Sequence, residues 1–193
     1  MSVMELGRAG RLRAATGDMH ERLDSRINAA AAFDSVAAYG RFAQMQWVFH
    51  AELAPLYGDT RLQALLPGLR ERQRVALVAA DLTDLDLAPV VEPEARFAAG
   101  RIDVAEALGW LYVAEGSNMG AALLRKAVAR LGLSDEFGAR HLAPAPGGPA
   151  AQWRTFTTAL DAAELDRTSE DRAVQGARNA FARVQQLVEL HFA

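Results

Sequence analysis

The chain has no cysteine. Disulfides, thiolate zinc sites, iron–sulfur clusters and cysteine nucleophiles are therefore excluded. It has one lysine, Lys126, and the other basic residues are arginines. With Lys and Arg at 21 against Asp and Glu at 24, the net charge is -3. A nucleic-acid binder carries a basic excess that is missing here. No stretch approaches the roughly 18 apolar residues of a membrane span. Residues 1–8 have no apolar run after their charges, so they do not read as a signal peptide. The expectation is a cytoplasmic soluble protein. No run of alternating β-branched residues reads as a strand, and there is no internal repeat.

Half of the 193 residues (51%) are hydrophobic. A chain of this length buries roughly two-thirds of its unfolded surface, enough for one domain over residues 1–193. Proline and glycine divide it into segments of helical period. A first helix is expected over about 6–30, and a second, capped by Asp34 or Ser35, to about 53. There Pro55 and Gly58 are expected to interrupt it. Shorter helices fit about 61–66 and 69–82, with a proline-containing connector over 84–93. The longest runs over about 102–131 and ends at Gly132. Two more fit about 151–162 and 169–192. The fold class is all-α, with seven or eight helices.

Several signatures are missing. None of the four histidines follows the Glu-x-x-His pattern of di-iron bundles, and zinc-protease, dinucleotide and P-loop motifs are absent. Three local features remain. Gly109, Gly116 and Gly120 lie inside the long helix at spacings of seven and four, on one face. Each costs about 1 kcal/mol relative to alanine, so close backbone approach is expected there, by another helix or by a flat ligand. His20 has Asp24 one turn on and Arg13 two turns (~10 Å) back. Asp24 can accept from one ring nitrogen and leave the other for a metal; the alternative is an ordinary surface histidine. Gln46, Trp47, His50, Arg74, Asn118 and Trp153 are polar or aromatic residues in helical segments. Facing inward, the polar ones require hydrogen bonds or ordered water.

In order along the chain, residues 16–24 (TGDMHERLD), 107–122 (ALGWLYVAEGSNMGAA), 137–142 (FGARHL), Trp153 and Gly176-Ala177 with Ala180-Phe181 resemble the heme oxygenases, particularly the compact bacterial ones. The likeness spans about residues 10–192. It implies a single heme-oxygenase-like domain with heme b between a proximal and a distal helix. His20 is then the axial iron ligand, supported by Asp24, and Gly116 and Gly120 form the distal wall. The implied reaction is oxidative cleavage of heme to biliverdin, carbon monoxide and ferrous iron, using O2 and electrons from a separate ferredoxin or flavoprotein reductase. Heme is both substrate and cofactor.

One position departs from the family pattern. Many members have an aspartate directly after the first distal glycine, where this chain has Ser117. A water network anchored by Gln46, His50, Arg74, Asn118 and Trp153 is expected to replace that carboxylate. Arg13 and Tyr112 are the candidates for holding the heme propionates, in the seating that directs cleavage to the α-meso carbon. His141 and His191 are expected to be structural or exposed. The protein is expected to act as a monomer, with no nucleic-acid or membrane partner; a bilin-accepting photoreceptor is a possible recipient of product. Competing readings are a non-degrading heme storage or transfer protein of the same fold, a thiamin-degrading enzyme (normally dependent on a cysteine that is absent here), and a helical interaction module.

Overall fold

The computed structural model describes residues 6–89, 96–98 and 100–192. Seven α-helices are present among them: α1 (Arg8–Ala29), α2 (Val36–Gly58), α3 (Thr60–Leu65), α4 (Val75–Asp84), α5 (Val104–Ala129), α6 (Pro149–Ala162) and α7 (Arg167–Phe192). Two 3₁₀ turns, Arg70–Arg72 and Arg140–Leu142, join them. No strand is present among the described residues. Part of the expected connector and the first five residues lie outside them.

Local chemistry sets many of the boundaries. Ser35, not Asp34, caps α2 by accepting from the Ala38 N–H. Asp103 caps α5 through the Glu106 N–H. Gly132, with φ of 82°, follows its end in a conformation that L side chains rarely adopt. Pro149 occupies the first turn of α6, where its missing N–H costs little.

Two expectations fail. Helix α2 runs through Pro55 to Gly58, because the turn beyond the proline is anchored from the core side. Leu56 is 0% and Tyr57 2% exposed, and the Tyr57 hydroxyl donates to Glu115. Tertiary packing here outweighs the lost backbone hydrogen bond. The helix expected over 69–82 is broken. A 3₁₀ turn ends at Arg72, the chain extends at Gln73, and α4 starts after Arg74. Arg74 thus stands at a helix start rather than within a helix, and its side chain crosses to the Arg140–Leu142 turn, donating to the His141 and Ala143 carbonyls.

Helix α7 is the hub, packing against α5, α1 and α2. Against α5 the backbones nearly touch, with Gly109 and Gly176 at the crossing. Against α1 the two helices run parallel. Arg8 pairs with Glu170 (2.8 Å), His20 lies edge-on to Phe181 (centroids 5.9 Å apart), and Arg26 pairs with Glu189. Arg8 also donates to the Leu160 and Ala163 carbonyls, capping the end of α6. The core between these helices is built from residues such as Leu12, Tyr39, Leu53, Leu108, Trp110 and Phe156.

Candidate functional site

Helix α1 presents His20 outward, with 63% of its side chain exposed. Its Nδ1 lies 3.1 Å from Asp24 Oδ2. In that arrangement a neutral ring donates from Nδ1 and keeps the Nε2 lone pair free. Seven residues earlier, the Arg13 charge reaches across to α5. Burial pushes the Tyr112 hydroxyl pKa up, and the Arg13 guanidinium partly offsets this. The two residues expected at the propionates therefore share one locality.

The glycine face of α5 divides by position. A Cβ on Gly109 would lie 2.0 Å from the Ala173 carbonyl oxygen, so this glycine serves the crossing with α7. A Cβ on Gly116 would lie 3.5 Å from the Trp153 ring. One on Gly120 would meet nothing within 4 Å. Around Gly120 the helix surface is open: Ser117, Met119, Ala122 and Leu123 are exposed, whereas Ala121 is buried. The Ser117 hydroxyl donates back to the Ala114 carbonyl at 2.7 Å.

Behind this surface lies a cavity of about 30 Å³, lined on its polar side by Gln46, His50, Arg74, Ser117, Asn118 and His141. It has room for one or two waters. The Nδ1 of His50, the Nε of Arg74 and the Nε2 of His141 are buried without a partner among the described residues. Such atoms require water. Burial, then His141 and Arg74, lower the His50 pKa to about 3, so its ring is neutral.

The structure thus gathers Gln46, His50, Arg74 and Asn118 around one cavity and adds Ser117 to its lining. Trp153 is not among the lining residues. It packs against Tyr112 (centroids 5.4 Å apart) and Phe156, with its ring facing Gly116. His141, expected to be structural or exposed, is buried (3% exposed) and belongs to the cavity lining. Its ring is held by Asp81 of α4, with Nδ1 2.7 Å from Oδ2. Sequence reasoning missed Asp81 altogether, since nothing in its own segment marks it.

A second buried group fixes α5 just before Gly116. Glu115 accepts from the Tyr57 hydroxyl (3.2 Å) and from Arg72 (3.1 Å). Burial pushes the Glu115 carboxyl pKa up, while Arg72, Tyr57 and Arg74 oppose the shift.

Among the described residues no cluster of three or more His, Cys, Asp or Glu side chains is placed to hold a bare metal ion. His20 is a lone exposed imidazole, held by Asp24 and edge-on to Phe181. That donor set suits an iron whose other ligands come from a flat macrocycle. Among the described residues no helix is long and apolar enough to cross a membrane.

Comparison with known proteins gives a consistent result. Residues 7–190 match the profile of the heme oxygenase family. Heme oxygenase PigA of Pseudomonas aeruginosa is 42% identical over 186 residues, covering 96% of this chain and 93% of that protein. The crystal structure of the NO- and CO-bound heme oxygenase from Neisseria meningitidis superposes with a TM-score of 0.88 at 37% identity. It covers 97% of this chain and 92% of that one.

Proposed function

The chain belongs to the heme oxygenase family and is a heme-degrading oxygenase; from that premise we propose that it opens the heme ring at the α-meso carbon, yielding biliverdin, carbon monoxide and ferrous iron. The observation that carries the reading is the pair of surfaces on the contacting helices α1 and α5: a histidine with its Nε2 free, and a glycine whose Cβ would meet nothing.

Heme supplies the redox centre at which O2 is reduced, with electrons from a separate ferredoxin or flavoprotein reductase. The chain does the positioning. His20 is the iron ligand, oriented by Asp24. Gly116 and Gly120 would let the α5 backbone lie close to the bound macrocycle. Arg13 pairs with a propionate, and Tyr112 donates to one. Gln46, His50, Arg74 and Asn118 order water in the cavity behind α5, and that water delivers protons in place of the family's carboxylate. Trp153 backs Gly116 and Tyr112 rather than joining the water.

The test adds hemin to the purified protein and records its absorption spectrum. A Soret band should form, and a His20→Ala variant should lose its histidine-ligated character. Reduction in the presence of O2 should bleach the band and release biliverdin. Absence of hemin binding, or an unaltered spectrum in His20→Ala, refutes the assignment. A stable Soret band under turnover conditions points to a non-degrading heme carrier instead.

A further inference from the structure

We infer that Asp81 and His141 form a proton-accepting pair in the inner wall of the cavity, in which Asp81 holds the His141 ring in its Nδ1–H tautomer so that Nε2 orders the water between His50, Arg74 and Asn118. The inference rests on the functional reading given above and adds two positioning residues to it.

The argument is one of donors and acceptors. Asp81 is fully buried. Its Oδ1 accepts the Arg140 backbone N–H at 2.8 Å, and its Oδ2 accepts the His141 backbone N–H at 3.0 Å. Both oxygens are committed as acceptors, as an ionised carboxylate requires. Beside an ionised Asp81, which can only accept, the nitrogen 2.7 Å from Oδ2, His141 Nδ1, carries the hydrogen of that bond. In the neutral ring the other nitrogen, Nε2, keeps its lone pair, and it is buried with no donor among the described residues. The Arg74 Nε–H, also lining the cavity, is a donor with no acceptor among the described residues. A water that accepts from Arg74 and donates to His141 satisfies both, and about 30 Å³ gives it room. His50 is the other candidate for holding a proton, and its surroundings keep it neutral.

The groups facing His141 are few. From α2 come His50 and Tyr39; the Tyr39 ring stacks on the imidazole (centroids 6.5 Å apart, 13° between planes) and its buried hydroxyl has no partner. From the start of α4, Arg74 donates to the His141 carbonyl. Arg140 pairs with Asp84 and approaches Asp81 at 3.5 Å. Asp81 is thus the carboxylate in direct contact with the ring. The pair resembles in its logic a general base held in one tautomer by a buried aspartate, although here the base acts through water.

Two measurements test it. In heme-free, ¹⁵N-labelled protein, long-range ¹H–¹⁵N correlation of the histidine rings should show His141 with Nδ1 protonated and Nε2 bare, the signal being assigned by its loss in His141→Gln. In Asp81→Asn the side-chain amide can donate to Nδ1, so the ring should move to the Nε2–H tautomer. With hemin bound, both variants should keep the parental Soret band and heme affinity, lose at least tenfold in turnover, and show a larger solvent isotope effect. A parental Nε2–H tautomer overturns the inference, as does unchanged turnover in His141→Gln. If Asp81→Asn does not fold, His141→Gln carries the test, because it leaves the backbone hydrogen bonds of Asp81 in place. If the parent itself does not degrade heme, the functional reading fails, and the tautomer measurement still decides the pairing of Asp81 with His141.

Discussion

Gly109 and Gly176 are reciprocal: each sits where the other's helix needs its backbone to pass. A Cβ on Gly109 would lie 2.0 Å from the Ala173 carbonyl oxygen, and one on Gly176 would lie 2.1 Å from the Glu106 carbonyl oxygen. Backbone atoms cannot step aside as a side-chain tip can. Gly109→Ala and Gly176→Ala should each destabilise the protein by about 3 kcal/mol or more, since the forced separation outweighs the roughly 1 kcal/mol gained in helix propensity. Thermal unfolding should show a fall of about 10 °C. Unaltered Tm values would mean that the two helices are not in this contact.

Gly120 predicts the opposite stability effect within the same helix. A Cβ there meets nothing. Gly120→Ala should stabilise the heme-free protein by up to about 1 kcal/mol, a rise of about 2–4 °C in Tm. The same methyl should weaken hemin binding, because it occupies the surface on which the macrocycle is proposed to lie. Paired melts and hemin titrations measure both effects. A variant that is more stable and binds hemin as tightly as the parent would remove Gly120 from the site.

His50 predicts an acid sensitivity. Its pKa is lowered from 6.5 to about 3 in the folded state. Between these values the unfolded chain binds a proton that the folded chain does not. Stability is therefore fully present above pH 6.5 and is lost as the pH falls toward 3, by about 1.4 kcal/mol per pH unit. His50→Gln should flatten that part of the profile in denaturant titrations across pH. Glu115, whose carboxyl is pushed up from 4.5, tilts the profile the other way in both proteins, so the difference between them isolates His50. With hemin bound, His50→Ala should slow turnover while binding persists.

Arg13 and Tyr112 predict regiochemistry. If they hold the propionates, parental product should be mainly the α isomer of biliverdin. Arg13→Glu should lower heme affinity through charge repulsion, and Arg13→Ala with Tyr112→Phe should scatter the isomers as in-plane seating loosens. Chromatography of the products distinguishes these outcomes. Mainly β or δ biliverdin from the parent would show that other residues seat the heme.

What the sequence made legible was local. Ser35, Asp103 and Gly132 mark helix ends through chemistry contained within one turn. The run through Pro55 was not legible, because it depends on Leu56 and Tyr57 fitting a core formed by distant segments. Nor was the break before Arg74, whose carbonyl partners lie in the 3₁₀ turn near residue 141. The spacing of Gly109, Gly116 and Gly120 showed that they share a face but not what each one meets: a helix backbone, an indole ring and open surface. His141 carried no local signal, because the carboxylate that holds its ring is 60 residues away.

The parallel seam between α1 and α7 governs the order in which the protein can be assembled. Its pairs join residues 162 and 163 positions apart, from Arg8 with Glu170 to Arg26 with Glu189. During synthesis the helix bearing His20 emerges early and must wait for α7, made more than a hundred residues later, before its main packing surface exists. Loop closure over that distance delays docking, so a nascent chain halted before α7 should lack a fixed position for His20, however well its other helices have formed.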